Sequence, residues 1–375
     1  MSVFSSRRLS RWVIPATAAV TVIGGGAAIG TFAASADPSL PPRSAAQLLV
    51  DLQTARLDGL SGTVVQRTDL GLPGLPTSAG RGSSDLTALV SGTHTLRVWY
   101  AGPDQARVAL LGTLGESDVI RNGDDLWFWN SRTGSATHRS LSLGRPSGEP
   151  TDRPLRPDGL PATPQEAADR ALAAVDPSTE VTVGRSAKIA GRDAYELVLA
   201  PRDGASLVGQ VRIAIDAREY VPLRFEVFAK GTDQPAFEMA FTQVSFDRPD
   251  PAQFAFNPPP GTRVTEQSGI PERDPKGSAA PGRGPQHPDG SDAQWQTDGT
   301  GWTTVLVART AQSADGAPAD RFAGLLDRLP KVDGAWGSGR LLAGNLFSAL
   351  LTDDGRILVG AVRPERLYEV AAVRR

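Results

Sequence analysis

Apolar and polar side chains alternate with a period of two through much of the stretch from Ser61 to Arg263. In Val211-Arg212-Ile213-Ala214-Ile215-Asp216 the apolar residues fall on one face of a strand and the charged ones on the other, and Leu223-Arg224-Phe225-Glu226-Val227 repeats the arrangement. The same criteria predict strands over 62–66, 95–100, 106–111, 125–130, 180–183, 194–200, 208–216, 221–230 and 235–246. A sheet with one greasy face and one wet face follows. Two segments carry a helical period instead. Ser44 caps a stripe of Ala45, Leu48, Leu49, Leu52 and Ala55, and Thr163-Pro164-Gln165-Glu166 is a capping box ahead of Ala168, Ala171, Leu172 and Val175. Two helices are too few to roof nine strands, so a curved antiparallel sheet would keep a concave apolar trough beneath them. The expected fold class is α+β, mainly β: a curved antiparallel half-barrel sheet covered by helices, with a small C-terminal α+β domain.

The alternation stops near residue 266. From there to 299 the chain is rich in Pro, Gly, Ser and Asp and holds almost no apolar side chain, so it reads as a disordered linker. Beyond it, 302–309 reads as a strand, and Phe322, Leu325, Leu326 and Leu329 mark a helix. A hairpin runs over 346–351 and 356–362 around Thr352-Asp353-Asp354-Gly355, and Pro364 opens a last helix through Ala371. The organisation expected is an export segment over 1–36, a spacer over 37–43, the half-barrel over 44–265, the linker over 266–299 and the small domain over 300–375.

One strand stands out by its size. Asn122-Gly123-Asp124-Asp125-Leu126-Trp127-Phe128-Trp129-Asn130 is a turn followed by three consecutive large aromatics, closed by a second turn at Arg132-Thr133-Gly134. It resembles the "turn, Leu-Trp-x-aromatic-Asp, turn" hairpin of the bacterial lipoprotein-carrier (LolA) and envelope-stress regulator (RseB) families. Ile189-Ala190-Gly191-Arg192-Asp193-Ala194-Tyr195-Glu196-Leu197 is similar to their "Gly-Arg-x-x-Tyr-x-Leu" strand. Ala214-Ile215-Asp216 with Pro222-Leu223-Arg224 resembles the adjoining hairpin, and Phe254-Ala255-Phe256-Asn257-Pro258-Pro259-Pro260-Gly261 the closing "Phe-x-Phe-x-Pro-Pro-x-Gly" element. The stretch Leu351 to Pro364 resembles the ending of the RseB small domain, although Ala361 stands where that family has an acidic residue. The resemblance implies a half-barrel that binds greasy ligands and catalyses nothing. The lipoprotein carrier lacks the second domain, so its presence also implies a membrane anti-sigma factor as a possible partner.

Composition narrows the setting. No charged side chain occurs between Trp12 and Ala36, and Arg7, Arg8 and Arg11 precede that run, which is the layout of an export segment with a positive cytoplasmic flank. The run exceeds the roughly 20 apolar residues that span a bilayer and suits an anchor, while Ala34-Ser35-Ala36 also fits a signal-peptidase site. Either way the protein is expected at the extracytoplasmic face of the cell membrane, N-terminally anchored or released after cleavage near Ala36. There is no cysteine, which removes disulfides, thiolate chemistry and Cys-ligated zinc. With 39 basic and 41 acidic residues, a net charge of −2 gives no field that would gather nucleic acid.

Candidate chemistry is sparse. His94, His138 and His287 lie on different segments without metal-ligand spacing, and Asp124-Asp125 and Asp353-Asp354 sit in glycine-containing turns that favour aspartate. No nucleophile–base grouping or phosphate cradle is visible, so no cofactor and no metal is expected. The positions expected to line the trough are Leu96, Val98, Val108, Leu110, Trp127, Trp129, Ile213, Ile215, Leu223, Phe225, Met239 and Phe241, although core packing would produce the same pattern. The expected function is non-enzymatic binding of a lipid, an acyl chain or a lipoprotein, with regulation through a membrane anti-sigma factor as the alternative.

Overall fold

Residues 40–72, 86–141, 177–267, 296–309 and 329–373 are described by the structure, a computed structural model. The export segment, the helix expected from Thr163 and the stripe Phe322-Leu325-Leu326 lie outside the described residues. The large sheet is built from β1 (Leu60–Thr68), β2 (Gly92–Tyr100), β3 (Gln105–Gly112), β4 (Gly115–Asn122), β5 (Asp125–Asn130), β6 (Ser135–Ser140) and β7 (Thr179–Val183). It continues with β8 (Ala187–Ile189), β9 (Arg192–Pro201), β10 (Val208–Asp216), β11 (Pro222–Ala229), β12 (Pro235–Ser245) and β13 (Arg263–Gln267). These thirteen strands form one open, curved sheet in the order β13-β6-β5-β4-β3-β2-β1-β12-β11-β10-β9-β7, with β8 also on β9. The mainly β, antiparallel half-barrel expected from the alternation is thus present, with one parallel pair where β13 joins β6.

Strand register fixes which side chains share a face, because successive residues point to opposite sides. Val64 lies opposite Leu96 and Phe241, Leu96 opposite Leu110, and Phe225 opposite Met239 and Ile213. These residues define an apolar face. The helix α1 (Ala45–Thr54) packs its fully buried Leu48 and Leu52 onto it beside Leu197, Leu199, Val211, Ile213 and Ile215. Ser44 is the expected cap and forms a full capping box: the Gln47 N–H donates to Ser44 Oγ at 3.2 Å, and the Ser44 N–H donates to Gln47 Oε1 at 2.9 Å. A 3-10 turn over Leu86–Val90 covers β1 and β2, with Leu89 buried against Val64, Leu96 and Val98.

The small sheet comprises β14 (Gln296–Asp298), β15 (Val305–Arg309), β16 (Lys331–Gly334), β17 (Gly337–Ala343), β18 (Ser348–Thr352) and β19 (Arg356–Gly360), in the order β14-β15-β19-β18-β17-β16. Its first strand starts inside the stretch whose composition marks it as linker. The helix α2 (Pro364–Val373) covers the sheet through Leu367, Val370 and Ala371, and Trp336 stacks on Tyr368 at 5.6 Å. Arg356 runs through this core, donating to the carboxylate of Asp354 and to the carbonyl oxygen of Ala371 at 2.7 Å.

The two sheets are fastened together within the compact unit Leu40–Arg375. The Leu207 N–H donates to the Ala361 carbonyl at 2.8 Å, the Asn345 N–H to that of Leu70 at 2.7 Å, and Trp302 Nε1–H to Thr179 Oγ1 at 2.8 Å. Trp302, Leu346 and Ala361 also pack on the α1 cluster, so the seam between the lobes is occupied by side chains.

Candidate functional site

Most of the positions expected to line a trough are packed against one another. Ile213, Ile215 and Phe225 belong to the α1 cluster, while Leu96, Val98, Leu110, Leu223, Met239 and Phe241 form a second buried cluster against which the half-buried Val108 packs. Trp127 and Trp129 face the other way. Val108 lies opposite Val119, and Val119 opposite Phe128, so Phe128 is the aromatic of β5 on the apolar face. Beyond β3 the described covering elements end and that face opens into a hollow of about 290 Å³. Leu86 and Phe128 line it on the greasy side and Ser117, Asn130, Ser135 and Thr137 on the polar side, and Asp118 and Trp129, which alternate onto the other face, also border it. Asn130 Nδ2 donates to Ser117 Oγ at 3.0 Å, and Thr133 Oγ1 shares a 2.6 Å hydrogen bond with Ser135 Oγ. The hollow is therefore amphipathic, apolar toward the core and hydroxyl-lined toward the β5–β6 turn.

On the opposite face the two tryptophans carry a structural load. Phe256 packs against Trp127 at 5.2 Å and Trp129 at 5.9 Å, and Phe254 beside it is fully buried. The closing segment is laid across the aromatic strand before β13 joins β6. Arg107 supports it: its guanidinium sits 5.2 Å over Trp99, pairs with Asp118 at 2.9 Å and donates to the Gln253 carbonyl. Burial pushes the Asp118 carboxyl up despite Arg107, and nearby Glu116 adds to the rise. His138 stacks on Trp127 at 4.3 Å, with Nε2 at 2.9 Å from Asp125 and Nδ1 at 2.8 Å from Glu266 of β13. Burial alone would lower its pKa; the two carboxylates outweigh that and raise it. His94 is buried with Nε2 at 2.7 Å from the Ser91 carbonyl.

Further along this face the alternation predicts water, yet Glu196, Glu226 and Glu238 are each only 8% exposed. They are held in a charge ladder. Arg224 lies 3.1 Å from Glu196 and 3.2 Å from Glu226, and Arg67 lies 3.1 Å from Glu238. Burial is the main reason that Glu226 titrates at about 6; Arg224 opposes the rise, and Glu238 and Glu196 add to it.

The family-like motifs prove to be fastenings. Ala190 and Gly191 both have positive φ, 50° and 79°, making the two-residue turn between β8 and β9 that a glycine relieves. Arg192 then grips both oxygens of Asp216, whose Oδ1 also accepts from the Arg218 and Glu219 N–H groups at 2.9 and 2.8 Å. Tyr195 donates to the Pro41 carbonyl at 3.0 Å, tying the chain ahead of α1 to β9. Periodicity missed β4 and β6, and with them the hydroxyls of the hollow, because Gly115–Asn122 and Ser135–Ser140 mix polar and apolar residues without a clean alternation. The signal available was the Asn122-Gly123-Asp124 turn, since a hairpin needs a strand before it as well as after it.

Among the described residues no helix is long and apolar enough to cross a membrane. No family model matches the chain, and no curated protein matches its sequence. Solved structures do show similarity. The Pseudomonas aeruginosa MucA/MucB complex matches with a TM-score of 0.43 at 16% identity, over 87% of this chain and 96% of that one. A LolA superfamily protein from Nitrosomonas europaea matches at 0.23 and 14%, over 57% of this chain and 99% of that one. A putative outer-membrane lipoprotein-sorting protein domain from Vibrio parahaemolyticus matches at 0.23 and 13%, over 56% and 94% respectively. By its own fold the chain is a two-lobed, mainly β protein with a one-sided apolar sheet.

Proposed function

We propose that this protein is a non-enzymatic, extracytoplasmic binding protein that takes the acyl chain of a lipid or lipoprotein on the apolar face at the β4–β6 end. The observation that carries the proposal is the hollow itself: it continues the buried cluster of Leu96, Leu110 and Val108 and ends in hydroxyls, which suits a molecule with a greasy chain and a polar head. Its volume of about 290 Å³ lies at the low end of the roughly 300–1,000 Å³ of ligand pockets, so it accommodates a segment of chain rather than a whole lipid. At about 0.8 kcal/mol per buried methylene, even half a dozen methylenes contribute close to 5 kcal/mol. Attachment at the outer face of the cell membrane, through the N-terminal segment or after its cleavage near Ala36, would put the site where such ligands are.

Displacement of a fluorescent fatty acid tests the proposal. Phe128→Glu places a carboxylate where the chain would lie and should weaken binding by more than about tenfold, while Leu306→Glu, at an exposed position of the small sheet, should leave it unchanged. Equal affinity in the two variants, or no displacement by any acyl competitor, would reject it.

A second reading, regulation through a membrane anti-sigma factor, is favoured by β13. This strand ends the sheet and all five of its residues are exposed, so an extended partner could add to its edge. The occupied seam between the lobes argues for that edge rather than for an interlobe groove.

A further inference from the structure

A second hollow, of about 480 Å³, lies on the face away from the acyl site, where the sheet edge is interrupted. β7 and β8 both pair with β9, and Gly184, Arg185 and Ser186 bridge the gap between them. The Gly184 N–H still donates to the Glu196 carbonyl at 2.8 Å, so the following two residues leave the ladder and stand over a floor of Glu196, Val198 and Arg212. Arg224 pairs with both Glu196 and Glu226, while Arg212 acts on Glu226 only through its charge, without an ion pair. The Arg212 guanidinium sits over the Phe228 ring, 4.8 Å from its centroid, and its Nε, like those of Arg107, Arg139 and Arg224, is buried without a hydrogen-bond partner. Among the described residues neither Arg212 nor the exposed Arg185 makes a hydrogen bond or an ion pair. A buried guanidinium donor left without an acceptor is costly and rare.

We propose that this hollow binds a phosphate monoester. Arg212 from β10 and Arg185 and Ser186 from the β7–β8 bridge border the hollow beside Glu196, a donor set of two guanidinium groups and a hydroxyl that suits an oxyanion with acceptors in three directions better than a planar carboxylate with two. The stacking of Arg212 on Phe228 holds its fork in place before the anion arrives, so less side-chain entropy is lost on binding. Room beyond the phosphate itself is left for the group that carries it. The site is independent of the acyl-binding proposal, since it uses other strands and the other face.

Calorimetric titration of the full chain with inorganic phosphate at low ionic strength tests it. Saturable binding is expected, weakened by about tenfold or more in Arg212→Gln and in Arg185→Gln through loss of a charge-assisted hydrogen bond. Arg212→Lys keeps the charge without the fork and should fall between, and Arg202→Gln, outside the hollow, should bind as the wild type does. Arg185 is exposed, so its variant tests the site without disturbing the core. Sedimentation with phosphatidylcholine vesicles doped with phosphatidic acid, but not with phosphatidylcholine alone, would assign a lipid headgroup as the source. Binding of glycerol phosphate without sedimentation would assign a free ester. Absence of saturable binding, equal affinity in Arg212→Gln and wild type, or acetate bound as tightly as phosphate would overturn the proposal.

Discussion

Asp216 shows what the conspicuous residues of this chain do. It is fully buried, and burial alone would raise its pKa; the Arg192 guanidinium and the N–H groups of Glu219 and Arg218 outweigh that and hold it below the usual carboxylate range. A carboxylate with a lowered native pKa stabilises the fold above its unfolded value and loses that contribution as pH falls through the native one. Asp216→Asn leaves Arg192 without its counter-ion and should cost about 3 kcal/mol at neutral pH. Urea denaturation at neutral and acid pH checks this, because the gap between variant and wild type should shrink in acid, whereas a constant gap would mean that charge is not the cause. Both residues were visible in the sequence as parts of family-like motifs, but their pairing across the sheet was not, since periodicity reports which way a side chain points and not what it meets. The same limit explains the tryptophans. Their size marked β5, but only the register shows that they meet Phe256 of the closing segment and not the apolar face.

At the scale of elements, the edge strand β13 depends on His138. Its imidazolium donates to Asp125 on one side and to Glu266 on the other, and Arg139 Nη2 adds a 2.7 Å hydrogen bond to Gln267. A histidine with a raised native pKa contributes fully below its ordinary value of 6.5, and that contribution is lost as pH climbs through the raised one. Hydrogen-exchange protection of the β13 amides, corrected for intrinsic rates, should therefore fall as pH rises across that window. His138→Gln should show lower protection with no such step, and a step of the same size in the variant would contradict the assignment. Strands that bury one face were legible from alternation: Val208–Asp216 and Asp125–Asn130 have the bounds expected for them, and α1 begins after its cap at Ser44. β4 and β6, which lack a clean alternation, were not, because their place in the sheet is imposed by hairpin connection to β3 and β5 and not by their own pattern.

At the scale of the whole molecule, the sheet has one greasy side that the described residues cover only in part. The described covering elements, α1 and the Leu86–Val90 turn, seal the faces of β1, β2 and β9–β11, and the small lobe closes the α1 end through Trp302, Leu346 and Ala361. The β4–β6 end is left with a hollow. The two-lobed architecture and the one-sided sheet could be argued from sequence; the position of the opening could not, since it depends on where covering stops. The most direct test is paramagnetic broadening of backbone amides by a fatty acid carrying a nitroxide on its chain. Saturating ligand should broaden Ser117, Phe128, Asn130 and Thr137 while sparing Leu197, Ile213 and the small sheet. Broadening centred anywhere else, or none at saturation, would contradict the account.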